Sequence, residues 1–405
     1  MSPGPRGEAR NAKGVSRTAA GAPHTAEGVH RAAAGAPEAR HPSWWERNLP
    51  APPPPAVDLP TRTDVLIVGA GFMGRWLAYF LSKRPAPPSV LVVERDRFTY
   101  GASSRNAGFL TCGQVSEMLA DLEAVGEEAV VDTFLRRLEG IEIVRREFPD
   151  LATEACGSLD WDPPDGAKRA LGEALNDAAG REVYGVREAR LGRETREVIF
   201  NAVDGALDPV QLLRRLADAT HASFAHGVTA RRVAGGVALL DTPAGPREVA
   251  CGHAFLCINA FTHHLHEDTE VRPGRGQIVV TTPVESPTTR ALGYLNAGYD
   301  YFRFVGDRLL IGGGRHRFAH ENGPTDLEPT EEVRAYLTEV AARVIGHDDF
   351  AVAHHWAGIM GFRGGRHLGG SPRDVLDSRT EAVAGFGGMG VALTPGVARE
   401  IAEAV

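Results

Sequence analysis

The run Thr-Asp-Val-Leu-Ile-Val-Gly-Ala-Gly-Phe-Met-Gly at residues 63–74 constrains the fold more than any other stretch of the chain. Residues 65–68 are apolar throughout and mostly β-branched, the pattern of a short parallel strand buried on both faces. The turn after it carries Gly69, Gly71 and Gly74. Gly69 permits the tight turn, Gly71 lets the backbone approach a pyrophosphate, and Gly74 lets the next helix lie close to the sheet. That helix is expected to begin near Phe72 and to aim its first N–H groups, Phe72 and Met73 included, and its positive dipole end at those phosphates.

A glycine motif of this kind is specific only in context, and here the context is present. Residues 72–83 place Phe72, Met73, Trp76, Leu77, Phe80 and Leu81 on an apolar helical face, which Pro85-Ala-Pro-Pro brings to an end. A second apolar strand at residues 90–93 delivers Glu94, with Arg95 beside it, about 20 positions beyond Gly74. An acid there can accept hydrogen bonds from a ribose diol and repels a 2′-phosphate.

With 405 residues, 43% of them apolar, the chain can bury one large core or two moderate ones. A net charge of −8 disfavours nucleic acid as a partner, because phosphate backbones are held by basic surface. No apolar run approaches the roughly 20 residues that span a bilayer, so no membrane span is expected. Cys112, Cys156, Cys251 and Cys257 make no CxxC pair and no metal spacing, which suits a reducing cytoplasm.

Residues 1–41 hold hardly any large apolar side chains and are expected to be a disordered extension. Trp44 and Trp45 follow, and two adjacent tryptophans should pack the arm back on the body. Residues 101–113 are rich in small side chains and donors, which lets a flat ligand approach the backbone. Residues 115–150 read as helix and residues 151–197 as a charged, glycine-broken part of a cap with a helix at 167–179. Asp208-Pro209 opens another helix. Short strands are expected at 228–233, 236–240 and 247–258, then at 272–283 and 299–314, with a helix at 330–344 and a closing helix at 395–404. His263, His264 and His266, with Glu267 and Asp268, read as a solvated loop, so no metal is expected.

Three separated stretches together resemble the superfamily of FAD-dependent amine and amino-acid oxidases. They are DVLIVGAGFMG…VVERD with GASSRNAGF behind it, LDPVQLLRRLADA leading to FLCINA, and WAGIMGF followed by GFGGMGVALTPG. The resemblance implies an α/β fold in which a Rossmann-like, glutathione reductase-type FAD-binding domain carries an antiparallel β-sheet substrate or cap domain. The FAD-binding domain would comprise residues 42–115, 205–262 and 354–405, and the cap residues 116–204 and 263–353. Gly69, Gly71, Phe72, Met73 and Gly74 would hold the pyrophosphate, Glu94 and Arg95 the ribose end, and Val228 the adenine. Ser103, Arg105, Asn106 and Gly108 would lie by the isoalloxazine, with Gly388, Gly390, Val391 and Leu393 at its pyrimidine edge.

The chemistry implied is hydride transfer from an amine-bearing carbon to FAD, with oxygen or another acceptor receiving the electrons. The sarcosine oxidase branch tethers its flavin through a cysteine where this chain has Ile359, so the flavin is expected to be non-covalent. That branch also has a substrate-binding lysine where this chain has Ala392, which weakens the case for an α-amino acid over an amine. Tyr301 and Arg303, alternating in YFRF, and Arg363 with Arg366 are the candidates for holding a small amine or amino-acid substrate. Three readings stay open: an oxidase, a dehydrogenase serving a quinone or protein acceptor, and a flavin-bound scaffold without turnover.

Overall fold

The structure, a computed structural model, describes residues 41–49, 58–99, 101–151, 154–285, 287–363 and 371–405. The disordered extension expected over residues 1–41 lies, His41 apart, outside the described residues, as does Arg366.

Strand β1 (Arg62–Val68), helix α1 (Phe72–Ser82) and strand β2 (Val90–Glu94) form the opening unit. Helix α1 buries Phe72, Met73, Trp76, Leu77 and Leu81, so almost no face is left to solvent. Next come α2 (Ala102–Arg105), β3 (Phe109–Leu110), α3 (Val115–Val125) and α4 (Glu127–Glu147). The single helix expected over 115–150 is two, because Gly126 at φ 81° adopts a backbone conformation that side chains disfavour.

Residues 151–197 hold more regular structure than their composition suggests. Strand β4 (Ser158–Asp160) precedes α5 (Gly166–Ala179), and β5 (Tyr184–Leu191) forms a hairpin with β6 (Glu194–Asn201). β5 is a sheet edge exposing Arg187, Glu188 and Arg190, so charge hides its strand alternation. After β7 (Gly205–Ala206), α6 (Pro209–Asp218) starts where expected, the Asp208 carboxylate accepting from Val210 N–H at 2.9 Å and Gln211 N–H at 3.2 Å.

The rest of the chain supplies β8 (Ser223–His226), β9 (Thr229–Ala234), β10 (Val237–Thr242), β11 (Gly245–Leu256), β12 (Val271–Thr281) and β13 (Leu292–Leu295). Strands β14 (Asp300–Val305) and β15 (Arg308–Gly313) precede α7 (Glu331–Ile345), β16 (Val352–Arg363), β17 (Arg373–Asp377), β18 (Thr380–Val383) and α8 (Gly390–Ala404). Helix α8 begins at Gly390, five residues before the expected Pro395. The N–H groups of Ala392 and Leu393 close its first turn on Met389 O, so Pro395 sits inside the helix rather than at its start.

One sheet runs β17-β18-β11-β1-β2-β8, parallel from β18 to β8, with the antiparallel pair β9 and β10 attached at β11. The other runs β16-β12-β15-β14-β13-β4-β6-β5 and is antiparallel except where β13 meets β4. β16 stays in this second sheet through Arg363, past the boundary expected at residue 354. Helix α8 packs on α1 and α4, closing a core of Trp76, Leu77, Phe134, Ile141 and Ile401. Helix α7 covers the second sheet, with Leu337 and Ala341 in a core shared with Phe302 and Ile311.

His355 on β16 donates from Nε2 to Gln277 Oε1 at 3.0 Å, since that oxygen already accepts from Thr330 N–H. Burial, aided by Arg334, pushes its pKa down to about 4. The unfolded chain, with an ordinary imidazole near 6.5, binds the proton more tightly, so this group's contribution to stability is full above that value and lost as pH falls toward 4. Acidification from pH 7 to 5 is expected to cost wild-type protein about 1–2 kcal/mol more than His355→Gln. Urea unfolding at the two pH values measures the difference, and equal losses would remove the assignment.

Candidate active site

In the turn after β1, Gly69 and Gly74 have no room for side chains. A Cβ at Gly74 would lie 2.1 Å from Gly69 O, and one at Gly69, whose φ is +104°, would lie 2.6 Å from Cys257 O. These contacts bring α1 down onto β1 and turn its N-terminus toward the carboxyl ends of the parallel strands, where such sheets bind ligands. Gly71 is the N-cap and has no side chain of its own to cap the helix, so the first turn, of which Ser103 Oγ takes the Phe72 N–H, is left to an anion. A Cβ at Gly71 would meet Ser103 Oγ at 2.9 Å, and that oxygen accepts from Phe72 N–H at 2.9 Å. The bare backbone at Gly71 lets a diphosphate approach the turn closely.

Glu94 ends β2, its Oε2 accepting from Ala70 N–H at 2.9 Å and its Oε1 from Asp96 N–H at 3.2 Å. Burial raises its pKa against the lowering effect of the Ala70 hydrogen bond. Arg95 is exposed, its guanidinium 5.0 Å from the Phe261 ring. The N–H of Val228 is committed to Glu94 O at 2.9 Å, which leaves Val228 its carbonyl for a base.

The segment at 101–113 is held by its own donors. Arg105 is buried, its guanidinium donating to Glu46 Oε2 at 2.9 Å, to Ala357 O at 2.6 Å and to His41 O. Asn106 Nδ2 donates to Ala102 O and Ser103 O, while its Oδ1 accepts from Gly108 N–H at 2.8 Å. Trp45 is buried as expected, its Nε1–H donating to Asn106 O at 2.8 Å. Arg105 and Asn106 thus shape the segment through these bonds while presenting a face to the cavity beside it.

That cavity lies between this segment, the second sheet and the start of α8. The segment contributes Ala102, Arg105, Asn106, Phe109 and Thr111, with Gln114 and Glu117 following them; the sheet contributes Ile278, Tyr294, Tyr301, Gly313, Gly358 and Met360. Gly388, Met389 and Val391 close one side, and Gly298, Tyr299 and Arg315 another. Of the expected residues, Arg105, Asn106, Tyr301, Gly388 and Val391 line it; Ser103, Gly108, Gly390 and Leu393 do not.

Arg303 and Arg363 lie away from the lining. Tyr301 and Arg303 do reach the same loop, but Arg303 donates to Gly108 O at 3.2 Å, Leu207 O at 3.0 Å and Glu154 Oε1 at 3.1 Å. Its Nη1 and Nη2 hold β14 to the loop, while its Nε is buried without a hydrogen-bond partner. Arg363 makes a two-pronged pair with Asp374 at 3.0 and 2.8 Å. Ile359 faces away from the cavity that its neighbours Gly358 and Met360 line, and Ala392 is buried with its carbonyl against Gly140. Among the described residues no His/Cys/Asp/Glu group suited to a metal is found.

Arg315 went unnoticed in the sequence. It follows the glycine run 312–314 at the end of β15, where small residues let a strand end approach a ligand. Its Nη2 donates to Asn322 Oδ1 at 3.1 Å, its guanidinium lies 4.0 Å from the Phe362 ring, and its Nε is buried without a hydrogen-bond partner. Burial lowers its pKa, against the raising effect of Tyr301, Tyr299 and Glu321. A guanidinium in a largely apolar cavity wall, hydrogen-bonded to a neutral amide, suits a carboxylate.

A family model described as DAO, FAD dependent oxidoreductase, matches residues 64–404. Comparison with curated proteins finds no match. Among solved structures, L-proline dehydrogenase from P. horikoshii is similar at 18% identity and a TM-score of 0.68, over 85% of this chain and 93% of that one. Glycine oxidase from Geobacillus kaustophilus is similar at 19% identity and a TM-score of 0.66, over 85% and 94%. Dithionite-reduced L-α-glycerophosphate oxidase from Mycoplasma pneumoniae, with FAD bound, is similar at 16% identity and a TM-score of 0.64, over 84% and 93%. These likenesses speak for the fold, and no helix among the described residues is long and apolar enough to cross a membrane. The glycine N-terminus of α1, the close-packed turn before it and the family match across residues 64–404 agree: the chain belongs to the DAO family of FAD-dependent oxidoreductases.

Proposed function

We propose that this protein oxidises the C–N bond of a small amino acid, whose carboxylate Arg315 holds. The observation that carries this reading is the Arg315 guanidinium in the cavity lining, whose side-chain partners are the neutral amide of Asn322 and the Phe362 ring. Two of the structural neighbours are named for proline and glycine, which supports an amino acid over the glycerophosphate of the third. Gly69, Gly71, Gly74 and Glu94 would hold FAD, which when bound would supply the hydride acceptor for oxidation of the substrate to an imine that water hydrolyses.

The protein's part is binding, orientation and exclusion of water. Arg315 fixes one end of the substrate, while Phe109, Ile278, Tyr301 and Met360 give an apolar wall that holds the reacting carbon in one pose. Burial pushes the Tyr301 phenol up to about 12, so it stays a neutral donor. Gly388, Met389 and Val391 put the start of α8 at the same cavity, and a positive helix end there favours negative charge. No protein base is required, because the amine binds in its neutral form and the hydride leaves carbon directly.

An anaerobic screen of amino acids, N-methyl amino acids and simple amines against the FAD-loaded protein tests the reading by bleaching of the flavin band. Admission of air then separates an oxidase, which recovers its colour with peroxide release, from a dehydrogenase, which needs a quinone or carrier protein. Arg315→Met is expected to weaken a carboxylate-bearing substrate by about 1.5–3 kcal/mol, one charged hydrogen bond, and to leave a carboxylate-free amine unaffected. Equal effects on both would remove Arg315 from the substrate.

A further inference from the structure

A polar chain runs from the cavity wall to a carboxylate with no solvent exposure. Asp204 is fully buried just before β7. Its Oδ2 accepts from Thr111 Oγ1 and from Ser158 Oγ, each at 2.7 Å, and its Oδ1 accepts from Cys112 N–H at 2.9 Å. Thr111 Oγ1 in turn accepts from Tyr294 Oη at 3.0 Å and from Gly113 N–H at 3.0 Å. Thr111 and Tyr294 both line the cavity.

The direction of this chain follows from counting protons. Burial pushes the Asp204 carboxyl up to about 6, which leaves it ionised and accepting at neutral pH. A hydroxyl has one proton, and that of Thr111 goes to the carboxylate, so its oxygen can only accept. Tyr294, kept a phenol by burial, must give its own single proton to Thr111. Its oxygen then has only lone pairs left to offer.

We propose that Asp204, acting through Thr111, orients the Tyr294 hydroxyl so that its oxygen accepts a hydrogen bond from the substrate's N–H. The inference rests on the amino-acid reading above and adds to it a polarity: an anion-binding end at Arg315 and an N–H-binding end at Tyr294. Asp204 and Thr111 are positioning residues. A carboxylate turned toward Tyr294 would meet lone pairs, so the arrangement also rejects the reversed pose.

Two rings of matched shape test it. Pyrrole-2-carboxylate carries an N–H where 2-furoate carries an oxygen, and calorimetric titration of the FAD-loaded protein gives the affinity for each. Wild-type protein is expected to prefer the pyrrole about tenfold, the size of one hydrogen bond against facing acceptors. In Asp204→Asn the amide oxygen takes the place of Oδ1 on Cys112 N–H, so the NH₂ faces Thr111 and Ser158. The Thr111 proton is then free to point at Tyr294, the Tyr294 proton turns into the cavity, and the preference falls to about one or reverses. A role in packing alone would weaken both rings together.

Thr111→Ser should retain the wild-type ratio and Thr111→Val should lose it, which decides the matter even if Asp204→Asn does not hold FAD. Tyr294→Phe should lose it without disturbing Asp204. An unchanged ratio in folded Asp204→Asn or Thr111→Val overturns the relay. Wild-type protein that binds both rings alike overturns the relay and leaves the proposed function standing; binding neither overturns both.

Discussion

Gly71→Asp is expected to leave the purified protein colourless. The substitution puts a carboxylate at the N-cap of α1, where Gly71 leaves the first turn open to a diphosphate. Two unit charges 5 Å apart repel by about 3 kcal/mol at an effective dielectric of 20, and each phosphate contributes. Affinity for FAD should therefore fall by at least about 100-fold. Gly71→Ala separates charge from bulk. Its Cβ would meet only Ser103 Oγ, a side-chain atom able to rotate, so it should retain most of the flavin. The ratio of flavin absorbance to protein after gel filtration reports both. Stoichiometric FAD in Gly71→Asp would put the pyrophosphate elsewhere.

The cradle was legible in the sequence because it is local. β1, the glycine turn, α1 and Glu94 lie within one short stretch, and each glycine answers a steric need of its immediate neighbours. The cavity is not local. Its walls come from residues as far apart as Ala102, Gly276 and Val391, joined by pairings such as β12 with β16 that no periodicity announces.

Arginine shows the limit most clearly. Arg303, flanked by aromatic residues on a strand, has the sequence context of a substrate ligand, yet it is absent from the cavity lining and its Nη1 and Nη2 go to Gly108 O, Leu207 O and Glu154. Arg315, after a run of glycines, has no such context and lines the cavity. Charge alone does not distinguish them; the location of the neighbouring carbonyls does. The same holds for Asp204, whose partners Thr111, Ser158 and Cys112 are distant in the chain and are brought to it by β3, β4 and β7.

Glu46→Ala is expected to destabilise the protein by about 3–5 kcal/mol, because it removes the carboxylate paired with the buried guanidinium of Arg105. The pair is 2.9 Å long and neither side chain is more than 3% exposed. Replacing both partners, as Glu46→Ala with Arg105→Met, should recover much of the loss, since the desolvated charge goes with them. Urea unfolding of the single and double variants measures the coupling, and additive losses would reduce the pair to packing. The consequence reaches the cofactor through a continuous chain of contacts. Glu46 also accepts from Ser104 and from Ser43 N–H, and Ser104 belongs to α2 beside Ser103, whose Oγ receives the first N–H of α1. Loosening the arm therefore loosens the wall of the phosphate site, and Glu46→Ala should release FAD at lower urea than it unfolds. Flavin release coincident with unfolding would show that the arm supports the fold without bracing the cradle.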